Sequence, residues 1–372
     1  MINAIGLINL NESEEFLREI TRHRPVAAIP FGGRYRLIDF VLSNMVNSGI
    51  RNVGILIQNK FRSLKDHLRA GKEWDLDRKR DGLFILVPAL ASSALPLGLG
   101  DLETMYSNLD FISKSRQKYV ILAGSSMVCN IDYRPAFNAH LERGSDITVL
   151  YKELDPGRDD FSRSTVLDID ADGRVRGLAI NPVRPESPYL SLATYILAKD
   201  MLADLVDAAV SRGASDFVRD VILSNLGRLT VHAFPYTGYL ARIHSIQSYY
   251  RCSMDLLKPE VWQDLYFRSG FIYTKAKDEA PARYKEAARV ANSLVASGCV
   301  IEGQVENSIL FRAVRIKKGA CVKNSIVMQK GDIEEDVRLE NVICDKDVRI
   351  TQGRSLKGEP NYPLVIEKGT VI

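Results

Sequence analysis

Long apolar runs are missing from this sequence of 372 residues. No stretch approaches the roughly 20 residues needed to cross a bilayer. The amino terminus has no basic segment leading into an apolar one, so neither a membrane span nor a secretory leader is expected. Cysteine is scarce. Cys129, Cys252, Cys299, Cys321 and Cys344 are odd in number and form no Cys-x-x-Cys pair. That excludes a zinc ribbon or a dithiol redox motif, and points to free buried thiols in a reducing, cytoplasmic compartment. An excess of one charge is lacking too: the formal net charge is only +4, with Lys and Arg spread along the chain. Such a surface gives no electrostatic case for nucleic acid or membrane, and leaves small anionic ligands open.

What is present is an ordinary globular composition, 46% hydrophobic and 26% charged, over a length that suits about two domains. Apolar runs such as VGILI (Val53–Ile57), YVILAG (Tyr119–Gly124) and DITVLY (Asp146–Tyr151) alternate with helical patterns such as FVLSNMVNSGI (Phe40–Ile50). Short β-rich runs separated by helices predict an α/β domain, a mostly parallel sheet covered on both faces. Ligands of such sheets gather at the carboxyl ends of the strands, where Ala-Gly-Ser-Ser follows YVIL. The charged stretch Gly71–Gly82 is expected to be a surface excursion, with Trp74 available for a subunit contact.

The carboxyl-terminal part repeats itself. VENSILF begins at Val305, VKNSIVM at Val322 and LENVICD at Leu339, a period of 17 residues, with IKKG and IEED recurring at the same spacing. This predicts a three-sided left-handed β-helix of hexapeptide units. Expected boundaries are 1–250 for the α/β domain, 251–285 for a linker and 286–372 for the β-helix. Many such prisms serve acyl transfer, but that chemistry needs a histidine base on the prism. His23, His67, His140, His232 and His244 all precede the repeat, so that reading is set aside.

Residues 25–68, PVAAIPFGGRYRLIDFVLSNMVNSGIRNVGILIQNKFRSLKDHL, together with YSNLDFI (Tyr106–Ile112), YVILAG and IQSYYRCSMDLL (Ile246–Leu257), resemble the ADP-glucose pyrophosphorylase (glucose-1-phosphate adenylyltransferase) family. The resemblance implies a nucleotidyltransferase-type Rossmann-like mixed sheet ahead of the β-helix. It also makes the departures informative. The family's first strand leads into a glycine-rich loop, G-G-x-G-T-R-L, whose backbone N–H groups hold a triphosphate; here the stretch from Ile5 to Pro25 offers only Gly6. The A-G-D-H-I-Y aspartate that holds magnesium is replaced by Ser125, and the second metal aspartate, in Y-W-x-D-V-G-T, by Arg242. Magnesium needs carboxylates beside substrate phosphate oxygens, so neither replacement serves it. The family's R-A-K-P lysine aligns with Arg24 and its sugar-phosphate lysine with Asn181. The nucleotide-side P-A-Q-Q aligns with Pro88–Ala91, and G-T-A-D with Gly100–Glu103. No catalytic residues are therefore expected, and the pattern resembles the regulatory, GlgD-type subunit found beside a catalytic one.

Cationic positions survive where relatives hold phosphorylated effectors, at Arg34 and Arg36 in FGGRYR and at Lys346 in VICDK, with Arg22 close in sequence. The resemblance implies an effector such as fructose 1,6-bisphosphate or phosphate. It implies a catalytic partner that uses Mg2+ in a heterotetramer, a homo-oligomer when the chain is alone, and no cofactor on this chain. Two alternatives remain at this point: an active enzyme with a rearranged site built on Asp101 or Glu103, and a stand-alone sugar-phosphate or nucleotide sensor.

Overall fold

The computed structural model describes residues 2–88, 100–155 and 159–372. Its centre is the strand Ala4–Asn9, flanked in parallel by Asn52–Leu56 and Tyr119–Ala123, with Gly82–Leu86 beyond the former. Alternation along these strands divides the core. Ala4, Ile8, Val53, Ile55 and Ile121 face one helical layer, which supplies Ile38, Leu42 and Met45. Ile5, Leu7, Leu56, Val120 and Leu122 face the other, which supplies Leu102, Met105, Leu202 and Phe217. Gly6 is needed for packing: a Cβ there would run into the sulfur of Met45.

The sheet is mixed rather than nearly all parallel. Tyr189–Ala198 runs antiparallel to both Tyr119–Ala123 and Ile147–Glu153, and the hairpin Thr165–Ile169 / Val175–Ile180 extends it. The charged stretch at Gly71–Gly82 is largely exposed, as expected, but its tryptophan is not. Trp74 is buried in the first core layer, with its ring edge to His67, and so is not available at a surface contact. No helix among the described residues is long and apolar enough to cross a membrane. All five cysteines are free; four are buried and Cys321 is half-buried.

Three five-stranded parallel sheets make the carboxyl-terminal prism. Val305, Val322, Leu339 and Leu356 stack in register, so the 17-residue period is one full coil. Asn307, Asn324 and Asn341 turn corners at φ of +46°, +46° and +53°, the left-handed region asparagine tolerates. Between coils, Ser308 accepts from the Ser325 amide and Ser325 from the Val342 amide at 3.0 and 3.1 Å. The first prism strand is Arg283–Tyr284, a few residues before position 286. The helix Ile246–Asp255 spans position 250, and Pro259–Phe267 follows, so much of the expected linker is helical.

A third core joins the two parts. Phe31, Phe40, Tyr249 and Tyr266 meet Ile309, Phe311, Ile326, Met328 and Ile343 of the prism. The Tyr250 hydroxyl donates to the Asn324 carbonyl at 2.6 Å. The turn that reaches this core requires glycine: Gly32 sits at φ +58°, where a Cβ would collide with the Tyr266 hydroxyl.

Candidate functional site

Two neighbourhoods gather the residues singled out above. The first is the cleft at the carboxyl end of Tyr119–Ala123. The short strand Met127–Val128 pairs antiparallel with Ala241–Arg242, so Arg242 lies directly opposite Met127, and the Ile243 amide donates to the Ser126 carbonyl at 2.9 Å. Ser125 and Arg242, far apart in sequence, therefore share one site. Ser125 is buried and faces Glu12: its hydroxyl donates to the Glu12 carboxylate at 2.7 Å, and its amide donates to the same oxygen. Burial raises the Glu12 pKa, opposed by these hydrogen bonds.

Arg242 is also buried. It donates to the carbonyls of Ser162 and Asp160, both at 2.6 Å, with the Asp160 carboxylate 3.6 Å away. Burial lowers its pKa, partly offset by Asp160. His244 pairs with the same carboxylate at 3.1 Å, and burial next to Arg242 lowers the imidazole to about 4, so it is neutral at physiological pH. Arg242 is thus a clamp on the loop Asp160–Ser164. Asn181 is exposed at φ +52°, its amide donating to the Ser164 carbonyl at 2.7 Å.

These residues do not fit magnesium. Arg242 brings a guanidinium to the cleft, and the Glu12 oxygen beside Ser125 is already engaged by three donors. Asp101 does not supply a substitute: it is buried, accepting from the Phe217 amide at 3.0 Å and from Asn9 at 2.8 Å. Burial lifts its pKa to about 6. Residues 89–91 of the nucleotide-side stretch Pro88–Ala91 lie outside the described residues.

The second neighbourhood is the junction between the α/β domain and the prism. Arg24, aligned with a replaced family lysine, lies here and not in the cleft, buried against Asp345 in a close ion pair. Arg36 caps the helix Leu37–Asn47 and donates to the carbonyl and hydroxyl of Ser63 at 2.8 and 3.1 Å. Asp39 accepts the Arg36 amide at 2.9 Å and pairs with His67 at 2.6 Å, an orienting role. Burial holds Arg36 down to about 10. Lys346, half-buried beside Asp345, falls to about 6 through burial and then through the charges of Arg36 and Arg24. Arg34 stays exposed over the Tyr35 ring.

Arg22 is not part of this cluster. It pairs with Glu367 at 2.7 Å on the surface, in a separate groove of mixed charge that also contains Glu14, Glu15, Arg18, Glu19 and Lys60. Two cations that the sequence did not single out do belong. Lys277 comes from the connector and Arg312 from a prism corner. Burial lowers both pKa values, and Arg34 further lowers Arg312. Among the described residues neither they nor Lys346 sit at ion-pair distance from a carboxylate. Amines and guanidiniums that depress one another's pKa values thus gather at the domain junction.

Comparison with known proteins agrees with the geometry. Residues 15–265 match the nucleotidyl transferase family, and residues 278–361 match the GlmU-like C-terminal hexapeptide family. The glycogen biosynthesis protein GlgD of Bacillus subtilis (strain 168) is 40% identical over 367 residues, covering 99% of this chain and 96% of that protein. GlgD of Geobacillus stearothermophilus is 42% identical over 368 residues, with the same coverage. The chain belongs to the glucose-1-phosphate adenylyltransferase family, in its GlgD-type branch. The glucose-1-phosphate adenylyltransferase of Bacillus cereus (strain ATCC 14579) is 32% identical over 354 residues, covering 94% of this chain and 93% of the relative.

Proposed function

We propose that this chain is the regulatory subunit of a glucose-1-phosphate adenylyltransferase in glycogen biosynthesis, silent or weak by itself in converting ATP and glucose 1-phosphate to ADP-glucose and diphosphate. The observation that carries the reading is that the antiparallel pairing of Met127–Val128 with Ala241–Arg242 brings Arg242 near the Ser125–Ser126 turn, so that a hydroxyl and a clamped guanidinium occupy the two positions the resemblance assigns to metal aspartates. A phosphoryl-transfer site built mainly on metal and positioned charge loses most of its catalysis with them. The cationic junction supports the other half of the reading. Arg34, Arg36, Lys346, Lys277 and Arg312 gather where an anion would touch both the α/β domain and the prism.

On this reading the partner is a catalytic subunit that uses Mg2+, in a cytoplasmic heterotetramer. The effector is a phosphorylated small molecule such as fructose 1,6-bisphosphate, or phosphate. Coupling between effector and the partner's active site would amount to about 1–3 kcal/mol. The test is ADP-glucose synthesis by this chain alone, by a catalytic subunit alone, and by the mixture, across concentrations of fructose 1,6-bisphosphate and phosphate. The expected result is little turnover alone and an altered maximal rate or effector response in the mixture. Robust magnesium-dependent turnover by the isolated chain would overturn the assignment of Ser125 and Arg242 to an inactive site.

A further inference from the structure

Three donors converge on one carboxylate oxygen in the cleft. Oε1 of Glu12 accepts from the Ser125 amide at 2.5 Å, the Ser125 hydroxyl at 2.7 Å and the Ser126 amide at 3.1 Å. Consecutive backbone N–H groups aimed at one point form a concave cradle suited to an anion, phosphate oxygens included. Gly124 borders the cradle: a Cβ there would lie in ordinary van der Waals contact, 3.4 Å, with that same oxygen. Among the described residues no Lys, Arg or His sits at ion-pair distance from Glu12, whereas neighbouring Glu14 is paired with Lys60. Oriented N–H and O–H dipoles hold the Glu12 carboxyl.

The carboxylate is delivered by the segment that leaves the central strand Ala4–Asn9, and that segment is fastened further along. The Phe16 ring lies under the Arg163 guanidinium, and the Phe16 carbonyl accepts from the Ile246 amide at 2.9 Å. Arg163 in turn belongs to the loop that Arg242 clamps through Asp160 and Ser162. The segment and the loop thus touch through Phe16 and Arg163.

We propose that the Ser125–Ser126 turn is a binding site for a diphosphate group and that Glu12 is its built-in competitor, so that the amino-terminal segment plugs the phosphate end of the cleft from within. A diphosphate offers more acceptor oxygens than one carboxylate, but it must first displace three hydrogen bonds and lift a fastened segment. The plug therefore enforces vacancy of a site whose donors remain intact. The inference rests on the family placement of this cleft but not on the chain's lack of turnover, so the test reads binding.

The full-length chain and its Glu12→Ala and Glu12→Gln variants, all carrying Lys346→Met to suppress binding at the domain junction, are titrated calorimetrically with inorganic diphosphate and, separately, with ADP. Removing a competitor that holds the cradle most of the time should tighten binding by about tenfold or more. Glu12→Gln should give a smaller gain, and it carries the comparison if the alanine variant fails to fold. Adding Ser125→Ala should reverse part of the gain. A gain with inorganic diphosphate alone assigns the cradle to the free anion; an equal gain with ADP assigns it to nucleotide tails. Folded Glu12 variants that bind neither ligand more tightly than their parent overturn the proposal, as does a gain indifferent to Ser125→Ala. Turnover by the isolated chain would defeat the regulatory reading and leave this binding difference intact, which separates the two failures.

Discussion

Arg24 and Asp345 form a buried ion pair between domains, each almost inaccessible to water. Removing one partner of such a pair strands the other charge and costs about 3–5 kcal/mol, whereas replacing both with apolar groups is often nearly neutral. Arg24→Met alone should thus destabilise strongly, and Arg24→Met with Asp345→Leu should recover most of the loss, as read by urea unfolding. Lys346 makes a pH prediction. Its pKa of about 6 lies well below the ordinary lysine value, through burial and the charges of Arg36 and Arg24. Between those values the unfolded chain binds a proton that the folded chain has released, so this group's contribution to stability rises with pH across the window. Its penalty is felt in full below about pH 6. An anionic ligand pulls the pKa back up, so fructose 1,6-bisphosphate should bind near pH 7 with proton uptake and more weakly toward pH 9. Calorimetry in two buffers of different ionisation enthalpy measures the uptake, and Lys346→Met should abolish it. Ser125, Arg242, Arg34, Arg36 and Lys346 could be located from sequence because flanking motifs fix their register. Glu12, Lys277 and Arg312 could not. Glu12 and Lys277 lie in segments without such motifs, and Arg312, though it directly follows VENSILF, sits at a prism corner whose neighbours are brought near only by the fold.

At the scale of elements, the prism was the most legible part because one coil equals one period: Val305, Val322 and Leu339 recur at 17 residues and stack in register. The first coil hid from that repeat. Val290 pairs with Val305 across a spacing of 15, and Arg283–Tyr284 has no sequence echo. The helices Ile246–Asp255 and Pro259–Phe267 were masked for another reason, since their apolar faces turn toward a core shared by both domains, not a linker surface. The reversed direction of Tyr189–Ala198 likewise left no local mark, because a strand buried on both faces has the same apolar pattern whichever way it runs. Stacked coils draw stability from their neighbours. Leu339, buried with a coil on each side, should cost about 2–5 kcal/mol when changed to alanine. Leu356, half-buried at the far end of its sheet, should cost clearly less, and guanidinium titrations of the two variants make the comparison.

For the molecule as a whole, the decisive feature is that the domains share a core. Phe31, Tyr249 and Tyr266 on one side pack with Ile309, Phe311 and Met328 on the other, and the cationic junction lies alongside. Neither domain can unfold without exposing part of this core, so calorimetric melting should show a single transition in the parent chain. A ligand that binds only the assembled junction stabilises both domains together, by about 2.7 kcal/mol at a hundredfold excess over its Kd. Fructose 1,6-bisphosphate should therefore raise the whole transition rather than one component of it. Phe311→Ala removes a fully buried ring from the seam and should cost about 3–5 kcal/mol. If the shared core is what couples the domains, that variant should melt in two steps, with effector raising them unequally. Arg312→Ala, which leaves the aromatic seam in place, should keep one transition while losing most of the effector-induced shift. A parent chain that already melts in two effector-independent steps would show that the junction transmits nothing between the domains. The regulatory role would then have to reach the partner through the α/β domain or the prism separately.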